Sequence, residues 1–369
     1  MSDRIVGVAG DAGGAAALAP VLVELRKRFD GDVAAWAYGP ATEMFRRAGL
    51  TPCVLQRPVE RSFVERELSR DCRLLFLGTS VNDDEFEKRF LEASIALGVP
   101  SVAVLDFWSN YAVRFLHRGT KSLLLPTVVT AIDPDCRDGL AAAGVPPERI
   151  RITGHPALER LGSLRNVPAD ALAHVRSRFL HDPSSRLVVF VSQPFGQYRK
   201  DLGYENADAF PDEMSVERQL EECLGRLAVQ RGGDFVVVVI PHPREANGRW
   251  TDAASDHVRR VVLRDMDRHL VALSSDLVVG MSSMLLIESS LLGCICVSVQ
   301  PGRRENDDLV SNRRGWTAPV YDLSEMTPTI EALLFDEDRR RRVRLSGDDS
   351  LVAAGATERV IAIAKDIIG

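Results

Sequence analysis

Residues 276–288 read DLVVGMSSMLLIE. Three apolar residues lead into a glycine, then two serines, then an apolar run interrupted by one glutamate. A buried strand followed by a serine-capped helix has this form. In a parallel α/β sheet such a strand-to-helix turn lies at the carboxyl end of the strand, where ligands bind. Ser282 and Ser283 stand at the expected helix start and Met284 opens the first turn. Their hydroxyls and N–H groups, together with the helix dipole, suit a diphosphate. Glu288, about one and a half turns along, is the sole charge of the apolar helix and is suited to a ribose diol.

The same alternation extends both ways. Strand-length apolar runs at 5–9, 33–38, 74–77, 101–105, 128–132 and 150–153 are separated by helical patterns at 15–28, 41–48, 85–97 and 136–143. A second series has strands at 187–192, 235–240, 258–263, 277–279 and 295–299, with helices at 215–230, 283–292, 326–335 and 353–368. Continuous apolar strands between helices predict parallel sheets covered on both faces. The fold expected is α/β, with two Rossmann-like domains facing each other across a cleft. Their expected limits are 1–155 for an acceptor-side domain and 156–369 for a nucleotide-sugar domain.

Composition narrows the function classes. The chain has 369 residues, a net charge of −6, 45% hydrophobic and 27% charged residues. It has no basic tail and no Lys/Arg cluster interleaved with aromatics, so nucleic acid is not an expected partner. The six cysteines form no CxxC pair and no zinc pattern. No apolar run approaches the ~20 residues of a membrane helix, and the chain opens on Met-Ser-Asp-Arg without a signal peptide. The location expected is cytoplasmic, compatible with peripheral membrane contact at a lipid-linked acceptor and with a homodimer.

Other strand ends carry further candidates. Gly10-Asp11-Ala12-Gly13-Gly14 follows the first strand. It lacks a full GxGxxG and any Walker lysine, so dinucleotide or ATP binding by those motifs is disfavoured. Gly13 and Gly14 allow close backbone approach to a ligand. Pro241-His242-Pro243-Arg244 ends the 235–240 strand, where His242 and Arg244 can donate to phosphate or sugar. Asp106, among Phe107, Trp108 and Tyr111, is a candidate general base, with Asp11 and His117 as rivals. His155 and Gln193 end strands in the two halves and are expected to line the cleft.

These residues resemble glycosyltransferases of the two-Rossmann GT-B type and the related non-hydrolysing UDP-N-acetylglucosamine 2-epimerases. GDAGGAAALAPV at 10–21 is similar to the epimerase opening G-T-R-P-E-x-x-x-x-A-P-V. RITGHPALERL at 151–161 is similar to V-T-G-N-P-x-x-D-x-L, and 281–293 to D-S-G-G-x-Q-E-E-x-x-x-x-G. The last match places Ser282 and Glu288 on nucleotide-binding positions. Departures point away from epimerisation. The arginine and glutamate of the first loop are Ala12 and Gly14, and the G-D-T acid is absent at Gly78-Thr79-Ser80. The H-R-R-E-N segment is replaced near Ser192-Gln193, and only Asp106 falls where the family has a catalytic glutamate. The resemblance therefore implies a glycosyltransferase that passes a sugar from a nucleotide-sugar donor to an acceptor hydroxyl. The alternatives are a 2-epimerase and a non-catalytic nucleotide-sugar binder. The resemblance also implies metal independence, and no cofactor is expected. The D-x-D triplets at 133–135, 265–267 and 336–338 read as chance, with Asp265-Met266-Asp267 the one able to overturn that reading.

Overall fold

The computed structural model describes residues 3–56, 59–69, 71–81, 85–117, 122–182, 184–197, 211–245, 248–344 and 349–369. It divides into two units, residues 1–160 with 350–369 and residues 161–349. Each contains a seven-stranded sheet.

In the first unit the strands are β1 (Arg4–Ala9), β2 (Asp32–Ala37), β3 (Cys53–Val54), β4 (Cys72–Leu77), β5 (Ser101–Val104), β6 (Val128–Ala131) and β7 (Ile150–Ile152). They are ordered β3-β2-β1-β4-β5-β6-β7, and every pair is parallel. In the second unit they are β8 (Arg186–Val191), β9 (Phe235–Ile240), β10 (Ala253–Ala254), β11 (Val258–Val262), β12 (Leu277–Gly280), β13 (Cys296–Val299) and β14 (Ala318–Val320). Their order is β10-β11-β9-β8-β12-β13-β14, parallel except for the short β10–β11 pair. Both sheets are doubly wound, so each reverses direction beside its first strand. That topological switch point gathers the carboxyl-end loops of β1 and β4 in one unit and of β8 and β12 in the other.

The strands are buried on both faces because their residues are apolar without alternation. All six residues of β9, FVVVVI, are buried. Helices Ala12–Arg28 and Phe86–Leu97 cover the first sheet, and Glu213–Arg231 and Met284–Leu291 flank the second. Among the described residues no helix is long and apolar enough to cross a membrane.

The units differ from the limits expected at 155/156. The chain passes between them at Arg160–Leu161, and its last twenty residues belong to the first unit. Helix Ala356–Ile368 buries Val360, Ile361 and Ala364 in the core formed by β1, β2 and helix Ala12–Arg28. Arg28 holds Glu358 through two bonds of 2.7 and 2.8 Å. Arg359 Nε donates to the Thr153 carbonyl at 2.7 Å, and Thr357 Oγ1 to Glu159 at 2.5 Å. An amphipathic terminal helix shows in the sequence, but which sheet it covers does not.

Candidate functional site

In the first unit, chemistry collects at the carboxyl ends of β1, β4 and β5. Asp11 is the N-cap of helix Ala12–Arg28, its Oδ1 accepting from Gly14 N at 2.7 Å. Gly13 has no room for a side chain: a Cβ there would lie 2.3 Å from Asp106 Oδ2. The helix start and the Asp106 carboxylate thus touch because residue 13 is glycine. Gly14 allows a similar approach, its Cβ position being 3.1 Å from the Gly78 Cα. Asp106 also accepts from Arg114 Nη1 at 2.5 Å and from Thr79 Oγ1 at 3.2 Å. Arg114, 5% exposed, fixes this corner by donating to the carbonyls of Thr79 and Ser109 as well.

A third carboxyl, absent from the sequence expectation, belongs to this group. Glu87 lies in the first turn of helix Phe86–Leu97 and is buried. Its Oε1 accepts from Gly10 N at 2.8 Å. Burial, with Asp11 and then Asp106 nearby, raises its pKa to about 7. Glu87 can therefore hold a proton at neutral pH while Asp11 and Asp106 are half-exposed beside it. In the sequence Glu87 reads as one more polar helix position. Its apolar neighbours Phe86 and Phe90, both buried, were the available signal that this face points inward.

His155 takes a supporting place. It is 2% exposed and lies 20° from parallel to the Trp108 ring. Its Nδ1 accepts from Ala157 N at 3.2 Å, so the proton resides on Nε2, which donates to the Asp106 carbonyl at 3.2 Å. Trp108 Nε1 donates to Asp133 at 2.6 Å. Both aromatic groups thereby position the Asp106 loop. His117 lies elsewhere, paired with Glu92 at 2.6 Å. Glu92 is five residues beyond Glu87, roughly 7.5 Å along the helix axis at 1.5 Å per residue.

In the second unit the carboxyl-end loops of β8, β9 and β12 form the other group. Ser283 is the N-cap of helix Met284–Leu291, its Oγ accepting from Leu286 N at 3.2 Å. Met284 opens the helix and is half-buried. Gln193 grips the backbone of Ser282 from both sides: Oε1 accepts from Ser282 N at 2.6 Å and Nε2 donates to the Ser282 carbonyl. Gln193 is thus a positioning residue for the helix start.

His242 is held in a rigid loop. Its backbone N–H donates to Glu245 Oε2 at 2.7 Å, and its Nδ1 accepts from Arg244 N at 3.2 Å. Burial, then the charges of Arg244 and Arg268, lowers its pKa to about 4, so the ring is neutral and keeps its remaining proton on Nε2. Glu245 also takes Ser192 Oγ at 2.5 Å and Trp250 Nε1 at 3.2 Å. This acid orients the loop from within.

Glu288 is 3% exposed and is not solvated. Its Oε2 meets His269 Nε2 at 2.8 Å and Arg268 Nη2 at 3.5 Å. Burial opposes charge on His269, but hydrogen bonds to Asp267 and Glu288 outweigh it and raise its pKa. His269 and Arg268 escaped the sequence reading because nineteen or twenty residues separate them from Glu288. The D-x-D triplets acquire local roles. Asp133 caps helix Pro134–Ala142, Asp267 caps helix Arg268–Leu273, and Asp336 accepts from Asp338 N and Arg339 N.

The chain matches no protein-family model and no curated protein. Solved structures share its fold across nearly the whole length. A UDP-GlcNAc 2-epimerase from Neisseria meningitidis bound to UDP-GlcNAc aligns with a TM-score of 0.70 at 11% identity, covering 98% of this chain and 100% of that one. A putative UDP-N-acetylglucosamine 2-epimerase from Listeria monocytogenes gives 0.67 at 14%, covering 99% and 96%. The spinosyn rhamnosyltransferase SpnG, complexed with thymidine diphosphate, gives 0.57 at 15%, covering 98% and 100%. The fold is therefore GT-B-like, similar to that of the 2-epimerases.

Proposed function

We propose that this chain is an enzyme that epimerises a nucleoside-diphosphate sugar at the ring carbon next to the anomeric centre. In this reading the second unit holds the nucleotide: the Ser282–Ser283 helix start takes the diphosphate, and His242, Arg268 and Glu288 meet the nucleoside. The first unit supplies acid–base groups. Inverting that carbon requires its C–H bond to be broken and remade from the opposite face. Loss of the nucleoside diphosphate accompanies removal of the proton, and its return accompanies reprotonation.

The observation that carries this reading is the Asp11–Glu87–Asp106 group, three carboxyls gathered at the ends of β1 and β5 and the start of helix Phe86–Leu97, with burial raising the pKa of Glu87 to about 7. Counted by sequence, the acids needed for epimerisation are too few. Glu87 adds one from a helix, in a position the motif comparison does not reach. Asp11 and Asp106, the half-exposed members, are the groups assigned to the sugar. Glu87 behind them is a proton store and positioning residue. The two epimerase likenesses add weight, since both have higher TM-scores than the transferase.

Glycosyl transfer is the second reading. It is favoured by Thr79, which stands where an acid would otherwise lie, and by the likeness to SpnG. One experiment separates the two. UDP-GlcNAc and a panel of other nucleotide sugars are incubated with the protein in D2O and followed by proton NMR. Epimerisation replaces the C2 proton by deuterium and yields a second sugar resonance set. Sugar that keeps its C2 proton, yet is transferred to an added acceptor, would overturn epimerisation in favour of transfer. Binding with neither change would leave a nucleotide-sugar-binding protein.

A further inference from the structure

Beyond β13 the second unit contains a buried polar network whose donors are all directed. Ser298 Oγ donates to the Met281 carbonyl at 2.6 Å. Having one proton, it can only accept from Gln300 Nε2 at 2.9 Å and Asn312 Nδ2 at 3.0 Å. The Asp307 carboxylate accepts from Gln300 Nε2 at 3.0 Å, Asn312 Nδ2 at 2.7 Å and Tyr321 Oη at 2.6 Å. These partners fix which end of the Gln300 amide is nitrogen. Turned over, the amide oxygen would face a carboxylate and a hydroxyl with no proton to give.

The Gln300 oxygen is consequently aimed away from the network. Gln300 is 1% exposed, and its Oε1 has no hydrogen-bond partner among the described residues. A buried acceptor left unpaired bears its full desolvation penalty, so this oxygen calls for a donor. Gln300 lines a small cavity with Phe195, Met281, Pro301 and Arg303. The Arg303 guanidinium lies over the Phe195 ring, 5.8 Å from its centre, and is partly exposed.

The position of the cavity within the sheet says which part of a nucleotide sugar it meets. In the order β9-β8-β12-β13, His242 follows β9 and Gln300 follows β13. The Ser282–Ser283 helix start follows β12, between them. Arg268 and Glu288, bonded to each other, contribute on the His242 side through the charge of Arg268 on that ring. With the diphosphate at Ser283 and the nucleoside on the His242 side, the sugar extends toward β13.

We propose that Gln300 Oε1 selects the sugar of the bound nucleotide, accepting a hydrogen bond from an acetamido N–H or a hydroxyl in the Phe195–Met281–Arg303 slot. This rests on the nucleotide-sugar reading above. The slot excludes sugars whose facing group is only an acceptor, because two acceptors would then meet without a proton.

The test is calorimetric titration of UDP and UDP-GlcNAc into the wild type, Gln300→Met and Arg303→Ala, with the melting temperature as a folding control. Gln300→Met keeps the length and removes the acceptor. Arg303→Ala leaves every network bond in place and lets water compete for Oε1. The wild type should bind UDP-GlcNAc more tightly than UDP. In Gln300→Met that preference should fall about 10- to 100-fold with UDP affinity unchanged, and in Arg303→Ala it should fall in the same sense. An unchanged preference in either folded variant overturns the proposal and leaves the slot to a water molecule. Wild-type binding of UDP without preference for the sugar also overturns it while the nucleotide reading stands. Failure of the wild type to bind any nucleotide refutes the nucleotide reading itself.

Discussion

Glu87 is buried in the first turn of helix Phe86–Leu97, where its Oε1 accepts from Gly10 N. Its raised pKa has a direct consequence for stability. Between its ordinary value near 4.5 and about 7, the folded chain retains a proton that the unfolded chain has released. Stability attributable to this group is fully present below the lower value and is lost as pH rises through the upper one, at no more than ~1.4 kcal/mol per pH unit. Glu87→Gln should remove that decline, so chemical denaturation from pH 5 to 8 should show a flatter profile in the variant. A decline as steep as in the wild type would show that Glu87 is already ionised. Glu288 carries a different expectation. Glu288→Ala takes away the acceptor of the buried His269, so it should lower stability by roughly 1–3 kcal/mol as well as weaken nucleotide binding. Glu288→Gln keeps an acceptor and should separate these effects, retaining stability in a melting experiment while losing affinity in a binding one.

In helix Met284–Leu291 the N-cap Ser283 is also the residue to which the proposed function assigns the diphosphate. Ser283→Ala should cost ~1 kcal/mol through loss of the cap to Leu286 N. Ser283→Asp should keep the cap, since aspartate is an equally good N-cap, yet set a negative charge where the diphosphate is assigned. The expected result is a melting temperature close to wild type with UDP binding weakened at least about tenfold, a difference of 1.4 kcal/mol. Undiminished UDP affinity in Ser283→Asp would remove the phosphate from this helix start. The elements themselves were largely legible: FVVVVI at 235–240 and the helix 326–335 have the limits read from sequence. Elements without a strong apolar signature were not. Cys53–Val54 is a two-residue exposed edge strand, and Arg61–Leu68 is a polar helix with only Val64 and Leu68 buried.

Over the whole molecule, the terminal helix tests how the chain is divided. Removing residues 350–369 should uncover the core around helix Ala12–Arg28, with Val360 and Ile361 each contributing about 1.5–3 kcal/mol by burial. Hydrogen exchange should then rise throughout β1, β2 and β4 while β8, β9 and β12 keep their protection. Equal loss in both sheets would mean that the units do not unfold separately. Local sequence determined two mainly parallel sheets, because unbroken apolar runs of strand length can only be buried on both faces. It also determined the strand-end loops with Asp11, Asp106, His242 and Ser283, because capping residues and glycines are local signals. It did not reveal which distant side chains meet. Glu87 with Gly10, Glu288 with His269, Glu245 with Ser192 and the terminal helix with the first sheet are pairings of residues distant along the chain. No local pattern encodes them; they arise from the order in which parallel strands are laid side by side. The raised pKa of Glu87, the neutrality of His242 and the unpaired oxygen of Gln300 come from the tertiary fold, since each depends on burial beside specific neighbours.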